Sequence, residues 1–220
     1  MKCKGFLFDL DGTLVDSLPA VEHAWTNWAN SRGLAPEEVL GFIHGKQAIT
    51  SIRHFMPGES EEAIQVQFRL IEKIESEDIN GITALPGAVE LLERLNKLSM
   101  PWAIVTSGSV PVARARHAAG ELATPEIFIT AELVAKGKPN PDPYLLGAQR
   151  LGLTPEECVV VEDAPAGILS GLAAGCKVIA VNAPDDTPGL DKVDLVLKSL
   201  AVLQVEPVQA GEFLISVVDV

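Results

Sequence analysis

Hydrophobic and polar positions follow two different regimes along this chain. Residues 5–8, Gly-Phe-Leu-Phe, form an apolar run too short for a helix and closed by a turn signal, which predicts a buried strand. After Ser17 the period becomes helical. Leu18, Val21, Trp25 and Trp28 recur at spacings of three or four behind an expected cap at Asp16-Ser17. Arg32-Gly33 breaks that helix, and Pro36-Glu37-Glu38 opens a short second one over residues 39–43. Beyond His44-Gly45-Lys46 a third helix carries Ile49, Ile52 and Phe55 on one face and stops at Pro57-Gly58. Ser60 opens the longest helix, with Ile64, Phe68, Ile71 and Ile74 as its stripe and Glu72, Glu75 and Glu77 expected to face water. Four successive helices exceed an ordinary βαβ crossover and predict an inserted helical bundle over residues 17–82.

From residue 84 helix and strand alternate. Helices are expected at 86–98, from Pro111, at 141–151 and at 165–174, and strands at 102–105, 127–129, 158–161, 177–181 and 195–197. This alternation predicts an α/β protein, a parallel sheet with helices on both faces. Residues 1–16 and 83–220 would form that core around the insertion. The tail differs, since 203–208 and 213–218, joined through Gln209-Ala210-Gly211-Glu212, read as a β-hairpin.

Composition narrows the partners. With 47% apolar residues the 220-residue chain can bury a full core, and a net charge of -13 gives no footprint for nucleic acid or an anionic membrane. No run of 18 apolar residues occurs, and Met-Lys-Cys-Lys-Gly leads straight into a strand, so a cytoplasmic location is expected. Cys3, Cys158 and Cys176 lack paired spacing and are expected to pack in the core. In so acidic a chain an anionic substrate needs local attraction from a metal ion, a lysine or helix N-termini.

The candidate chemistry lies at the predicted strand ends. Asp9 and Asp11 flank Leu10, so both can enter one crevice, where one can attack and the other shuttle a proton; Asp11-Gly12 equally reads as a hairpin turn. Thr106-Ser107-Gly108 offers a hydroxyl and bare amides for a phosphate, or else a helix start capped by Ser109. Lys138, in Gly137-Lys138-Pro139, can pair with a phosphoryl oxygen or restrain the Asp9 carboxylate, or can be solvated surface. Glu162-Asp163 can complete a magnesium site with Asp9, or Asp163 can cap the helix near Pro165. His44-Gly45-Lys46 reads as a substrate-contacting loop or an ordinary helix-helix turn. His23, His54 and His117 are assigned no function.

Taken in order, Asp-x-Asp-Gly-Thr, Thr-Ser-Gly, Lys-Pro and Glu-Asp at successive strand ends resemble the phosphohydrolases of the haloacid dehalogenase superfamily. Within it, Phe-Asp-Leu-Asp-Gly-Thr-Leu-Val-Asp-Ser and Lys-Pro-x-Pro-Asp-x-Tyr are most similar to the group of small sugar phosphatases and β-phosphoglucomutases. Only the tail from about residue 203 falls outside the shared pattern. The resemblance implies a Rossmann-like core with a helical cap at 17–82, Asp9 as nucleophile and Asp11 as general acid and base. It also implies Mg²⁺ held by Asp9, the Asp11 carbonyl and Asp163 with Glu162 supporting them, phosphate held by Thr106, Ser107, Gly108 and Lys138, and substrate read by His44, Gly45 and Lys46.

The implied activity is Mg²⁺-dependent hydrolysis of a small phosphorylated sugar or sugar alcohol through an aspartyl phosphate, by a monomer. A phosphosugar mutase is the alternative. Its cap arginine falls on Ala48 here and its cap histidine on Val21, although Lys46 or Arg53 can stand in for the arginine. A receiver-type phosphoacceptor module would be shorter and lacks both the helical insertion and an acid two residues after the acceptor.

Overall fold

The computed structural model describes residues 1–209 and 211–218; Ala210 of the expected hairpin turn and residues 219–220 of the expected core span lie outside it. In chain order the elements are β1 (Lys2–Cys3), β2 (Gly5–Phe8), β3 (Val15–Asp16), α1 (Leu18–Ser31), α2 (Pro36–Ile43), α3 (Ala48–Phe55) and α4 (Glu61–Glu77). Then come β4 (Thr83–Ala84), α5 (Ala88–Lys97), β5 (Trp102–Val105), α6 (Val110–Ala119), β6 (Ile127–Ile129), α7 (Asp142–Leu151), β7 (Cys158–Glu162), α8 (Pro165–Ala173), β8 (Lys177–Val181), β9 (Leu195–Leu197), β10 (Leu203–Gln209) and β11 (Glu212–Val217).

Six strands form one parallel sheet in the order β6-β5-β2-β7-β8-β9. Both faces are covered, so the strands are apolar throughout and alternate only in which layer they fill. Along β2, Phe6 and Phe8 pack with Leu91, Leu92 and Leu95 of α5, while Leu7 packs on the opposite face with Tyr144 and Ala148 of α7. The chain winds outward from β2 to β5 and β6, then crosses back to β7, β8 and β9. Strand order therefore reverses beside β2, and a crevice opens at the carboxyl ends there.

Helices α1–α4 leave and re-enter through a two-strand neck, in which Val15 pairs with Ala84 and Asp16 with Thr83. They close around a cluster of their own, including Val21, Trp25, Trp28, Val39, Ile43, Ile52, Ile64 and Ile71. Two expectations fail here. Glu75 does not face water: it is 8% exposed, on the inner side of α4 next to the Ile71 stripe. Ser17 makes no side-chain cap for α1, because its hydroxyl donates to Asp11 instead.

The C-terminal hairpin is present and has a partner that the apolar pattern does not announce. β11 pairs with β10 and also with the two-residue β1 (Lys2↔Leu214, Cys3↔Phe213), giving a three-stranded antiparallel sheet. Leu203, Val205, Phe213 and Ile215 thereby join the core layer that holds Phe6 and Phe8. All three cysteines are free and buried, and burial pushes their thiols up, Cys3 to about 11 and Cys158 and Cys176 to about 12. No described helix is long and apolar enough to cross a membrane.

Candidate active site

Asp9 directly follows β2, and its amide donates to the Val161 carbonyl of β7 (3.0 Å), so the carboxylate leaves the sheet at the crevice. Lys138, on the turn before α7, reaches underneath it. Its ammonium donates to Asp9 Oδ1 (2.6 Å), Glu162 Oε1 (2.6 Å) and the Val105 carbonyl (2.9 Å), which satisfies all three N–H donors. The alternative of a solvated surface lysine is ruled out, because the side chain is 0% exposed. Burial opposes its charge, but Asp9 and then Glu162 override it and hold the ammonium above its ordinary range. Removing one partner of such a pair costs about 3–5 kcal/mol.

Glu162 belongs to β7, one residue beyond the expected strand, and its carboxylate is fully used. Oε1 accepts from Lys138 and from the Tyr144 hydroxyl (2.7 Å), and Oε2 from the Asp163 and Ala164 amides (3.1 and 3.3 Å). Asp163 does not cap α8, whose N-cap residue is Ala164. It turns instead toward the Asp9 side and accepts from Thr13 Oγ1 (3.1 Å). Gly12, at φ +80°, makes that approach possible, since a Cβ there would overlap the Asp163 carboxylate.

Carboxylate oxygens of Asp9, Glu162 and Asp163 lie within 4.8 Å of one another. One lysine cannot neutralise three carboxylates. Burial, resisted by Lys138 and reinforced by Glu162 and Asp11, pushes Asp9 up to about 8; burial, then Glu162 and Asp9, raises Asp163 as well. Hard oxygen donors with excess negative charge are what a divalent cation takes, so this cluster can hold a metal ion. With Glu162 fully bonded, Asp9 and Asp163 are the side chains left to ligate it.

Asp11 sits two residues on, in the turn that Gly12 closes by donating to the Val15 carbonyl (2.9 Å). Gly12 turns the chain here, but no hairpin forms, since β2 pairs in the parallel sheet and β3 pairs with β4. Asp11 Oδ1 accepts from Ser17 Oγ (2.6 Å) and is ion-paired with Arg116 Nη1 of α6 (2.8 Å), while Arg116 Nη2 donates to Glu75 Oε1 of α4 (2.9 Å). Burial again opposes the Arg116 charge; Asp11 and Glu75 outweigh it.

Thr106, Ser107 and Gly108 follow β5 across the crevice. Thr106 Oγ1 accepts from the Gly108 amide (3.0 Å), and Ser107 Oγ donates to the Gly45 carbonyl of the α2–α3 loop (2.9 Å). Ser109 makes no side-chain cap for α6, and its buried Oγ has no partner among the described residues. The 44–46 loop thus rests on the sheet side. Gly45, at φ +74°, packs so closely that a Cβ would come within 2.9 Å of Ala164 Cβ. Next to it, Gln47 Nε2 donates to the Ala131 carbonyl (3.0 Å). His44 is half-buried, and burial pulls its imidazole below the ordinary range, so it is neutral near pH 7. Lys46 donates to the Phe42 carbonyl and lies 3.7 Å over the Phe42 ring.

Asp9, Asp11, Thr106, Ser107, Gly108, Asp163, His44, Gly45 and Lys46 all border one cavity of about 430 Å³, the size of a small-ligand site. Lys138 and Glu162 lie beneath its floor. The sequence reading missed Arg116, Glu75, Ser17, Thr13, Gln47 and Tyr144. Thr13 and Tyr144 lie inside the quoted signatures, and Arg116 stands on the otherwise apolar Val112-Ala113 face of α6. Of the three histidines given no role, His54 stacks on Phe42 and His117 bonds the Ala123 carbonyl.

Comparison with known proteins gives the family. The model of the haloacid dehalogenase-like hydrolases matches residues 3–175. The chain is 69% identical over 215 residues to hexitol phosphatase A of Escherichia coli K12, covering 98% of this chain and 100% of that protein. It is 34% identical to glycerol-1-phosphate phosphohydrolase 1 of Saccharomyces cerevisiae, covering 97% and 87%. The solved structure of a β-phosphoglucomutase from Clostridium difficile superposes with a TM-score of 0.81 at 23% identity, over 90% of this chain and 92% of that one, a likeness of fold. The chain belongs to the haloacid dehalogenase-like hydrolase family.

Proposed function

We propose that this protein is a cytoplasmic, Mg²⁺-dependent phosphatase that hydrolyses monophosphates of hexitols and similar small sugars. The observation that carries this reading is the 69% identity, across the full length of both chains, to a hexitol phosphatase. The residues around the cavity support a mechanism for it. Asp9 attacks phosphorus and forms an aspartyl phosphate, while Asp11 gives a proton to the departing polyol oxygen. Asp11 then takes a proton from the water that releases phosphate and regenerates Asp9. Lys138 fixes the Asp9 carboxylate for attack, and Thr106, Ser107 and Gly108 orient the phosphoryl oxygens. Asp9, Asp163 and the Asp11 carbonyl would hold Mg²⁺, which supplies positive charge against a dianionic substrate. Helices α1–α4, residues 17–82, serve as a cap that excludes water over the site, with His44, Gly45 and Lys46 facing the substrate.

A mutase would need a free cation on the cap to hold a second phosphate. Ala48 and Val21 stand where the mutases carry arginine and histidine, and each cation bordering the cavity is engaged. Lys46 is committed to Phe42, Arg53 to Glu61 (2.6 Å) and Arg116 to Asp11 and Glu75. The test is phosphate release from a panel of hexitol monophosphates, hexose monophosphates, glycerol 1-phosphate and glucose 1,6-bisphosphate, with Mg²⁺ and after chelation. Hexitol phosphates should lead and chelation should silence them. Isomerisation of β-glucose 1-phosphate with little free phosphate would overturn the reading.

A further inference from the structure

Arg116 and Glu75 form a charged bridge between the helical insertion and the sheet domain, and it ends on the carboxylate of Asp11. Arg116 comes from α6, which follows the Thr106-Ser107-Gly108 turn, and Glu75 from the last turns of α4. Their side chains are 5% and 9% exposed, so water screens them little. The guanidinium spends Nη1 on Asp11 (2.8 Å) and Nη2 on Glu75 (2.9 Å), and its buried Nε has no partner among the described residues. A single guanidinium thus joins the two carboxylates, one on the insertion and one at the crevice.

From this geometry we infer that Arg116 is a positioning residue for Asp11: Glu75 pins its guanidinium from the insertion, and the guanidinium fixes which Asp11 oxygen meets the substrate. Ser17 Oγ (2.6 Å) and Arg116 Nη1 converge on the same oxygen, Oδ1, from two sides. With Oδ1 so engaged, Oδ2 is the oxygen of Asp11 left to meet a leaving group in the cavity that Asp11 lines. A carboxylate on a turn has two free torsions, and a proton transfer needs its oxygen within hydrogen-bond reach of the ester oxygen, so holding Oδ1 sets the distance for Oδ2. The inference rests on the proposed role of Asp11 as general acid and base.

A role exerted through Asp11 has a signature that packing alone lacks. It matters for an alkyl phosphate, whose departing oxygen must be protonated, and not for departure of p-nitrophenolate, which needs no proton. In Arg116→Gln, kcat for a hexitol phosphate should fall by about tenfold or more with KM within about twofold. With p-nitrophenyl phosphate a stopped-flow burst should persist at the wild-type rate, followed by a slowed steady state, because the second half-reaction still needs Asp11. Arg116→Lys should recover part of the alkyl-phosphate rate, and Glu75→Gln should show the same pattern more weakly. Asp11→Asn is the reference.

A rise in KM with kcat unchanged would make Arg116 a substrate contact and overturn the inference, as would equal slowing of the burst and the alkyl reaction. Should Arg116→Gln not fold, Arg116→Met with Glu75→Leu removes both charges together and is read the same way. If Asp11→Asn itself turns over hexitol phosphate normally, the mechanism of the preceding section has failed. If only the Arg116 variants do, this inference alone has.

Discussion

The sheet domain and the helical insertion bury their residues in opposite styles. Beneath the crevice the sheet domain gathers Asp9, Lys138, Glu162, Tyr144 and Asp163 into a buried network in which Lys138 and Glu162 have every polar atom bonded. The insertion closes on an apolar cluster of Val, Ile and Trp side chains and lines the cavity with apolar groups such as Leu18, Val21, Trp25, Ile43 and Phe68 beside separate polar ones such as His44 and Lys46. A buried charged network tolerates little change, because each member left unpaired carries its desolvation cost. An apolar bundle tolerates repacking, and its loops can change without endangering the fold. The proposed mechanism thus puts the chemistry in the half built on the charged network, and substrate choice in the half that tolerates repacking.

Changes to the α2–α3 loop sharpen this contrast most. His44→Ala and a Gly45→Val change, which meets Ala164 and forces a left-handed φ on a branched residue, should alter KM and the order of preferred substrates by about tenfold. Phosphoryl transfer from p-nitrophenyl phosphate should change much less. Steady-state kinetics on the two substrate types checks this. Equal loss on both would show that the loop takes part in the chemistry and dissolve the division between the halves.

A smaller effect is expected from pH on the metal-free chain. Burial raises the folded Asp9 carboxyl from 3.8 to about 8, so between about pH 4 and pH 8 the folded chain holds a proton that the unfolded chain has lost. The contribution is present below the unfolded value and is lost as pH rises through the folded one. Thermal melts of chelated protein should therefore fall by a few degrees from about pH 5 to about pH 8, and Mg²⁺ should restore most at the high end. A metal-free melting temperature that climbs over this range would contradict the charge balance assigned to the cluster.

The sheet domain was the more legible half because its constraints are local. Apolar runs of four or five residues ending in Asp, Thr or Glu mark both a strand and the polar group at its end, so Asp9, Asp11, Thr106 and Asp163 are singled out from their positions and Lys138 from its Gly-Lys-Pro context, and all of them lie in or under the cavity. The helices of the insertion were equally readable from their stripes. What escaped were pairings between segments far apart in the chain. Glu75 continues the inner face of α4, four residues after Ile71, but an acidic residue in a run with Glu72 and Glu77 reads as solvated until its partner on α6 is known. Ser17 reads as a cap for the same reason, since the competing acceptor lies back in the preceding turn. β1 is too short for any periodicity and exists because β11 returns to pair with it.

The account turns on Asp9 carrying the phosphoryl group, and acid-quench mass spectrometry tests that most directly. Asp11→Asn protein, in which the proposed mechanism slows release of phosphate, is mixed with p-nitrophenyl phosphate and Mg²⁺, quenched in acid and digested. The account predicts one added phosphoryl mass on the peptide containing Asp9, appearing with the burst of p-nitrophenolate and absent from Asp9→Asn. A burst without that adduct, or an adduct on another residue, would contradict it.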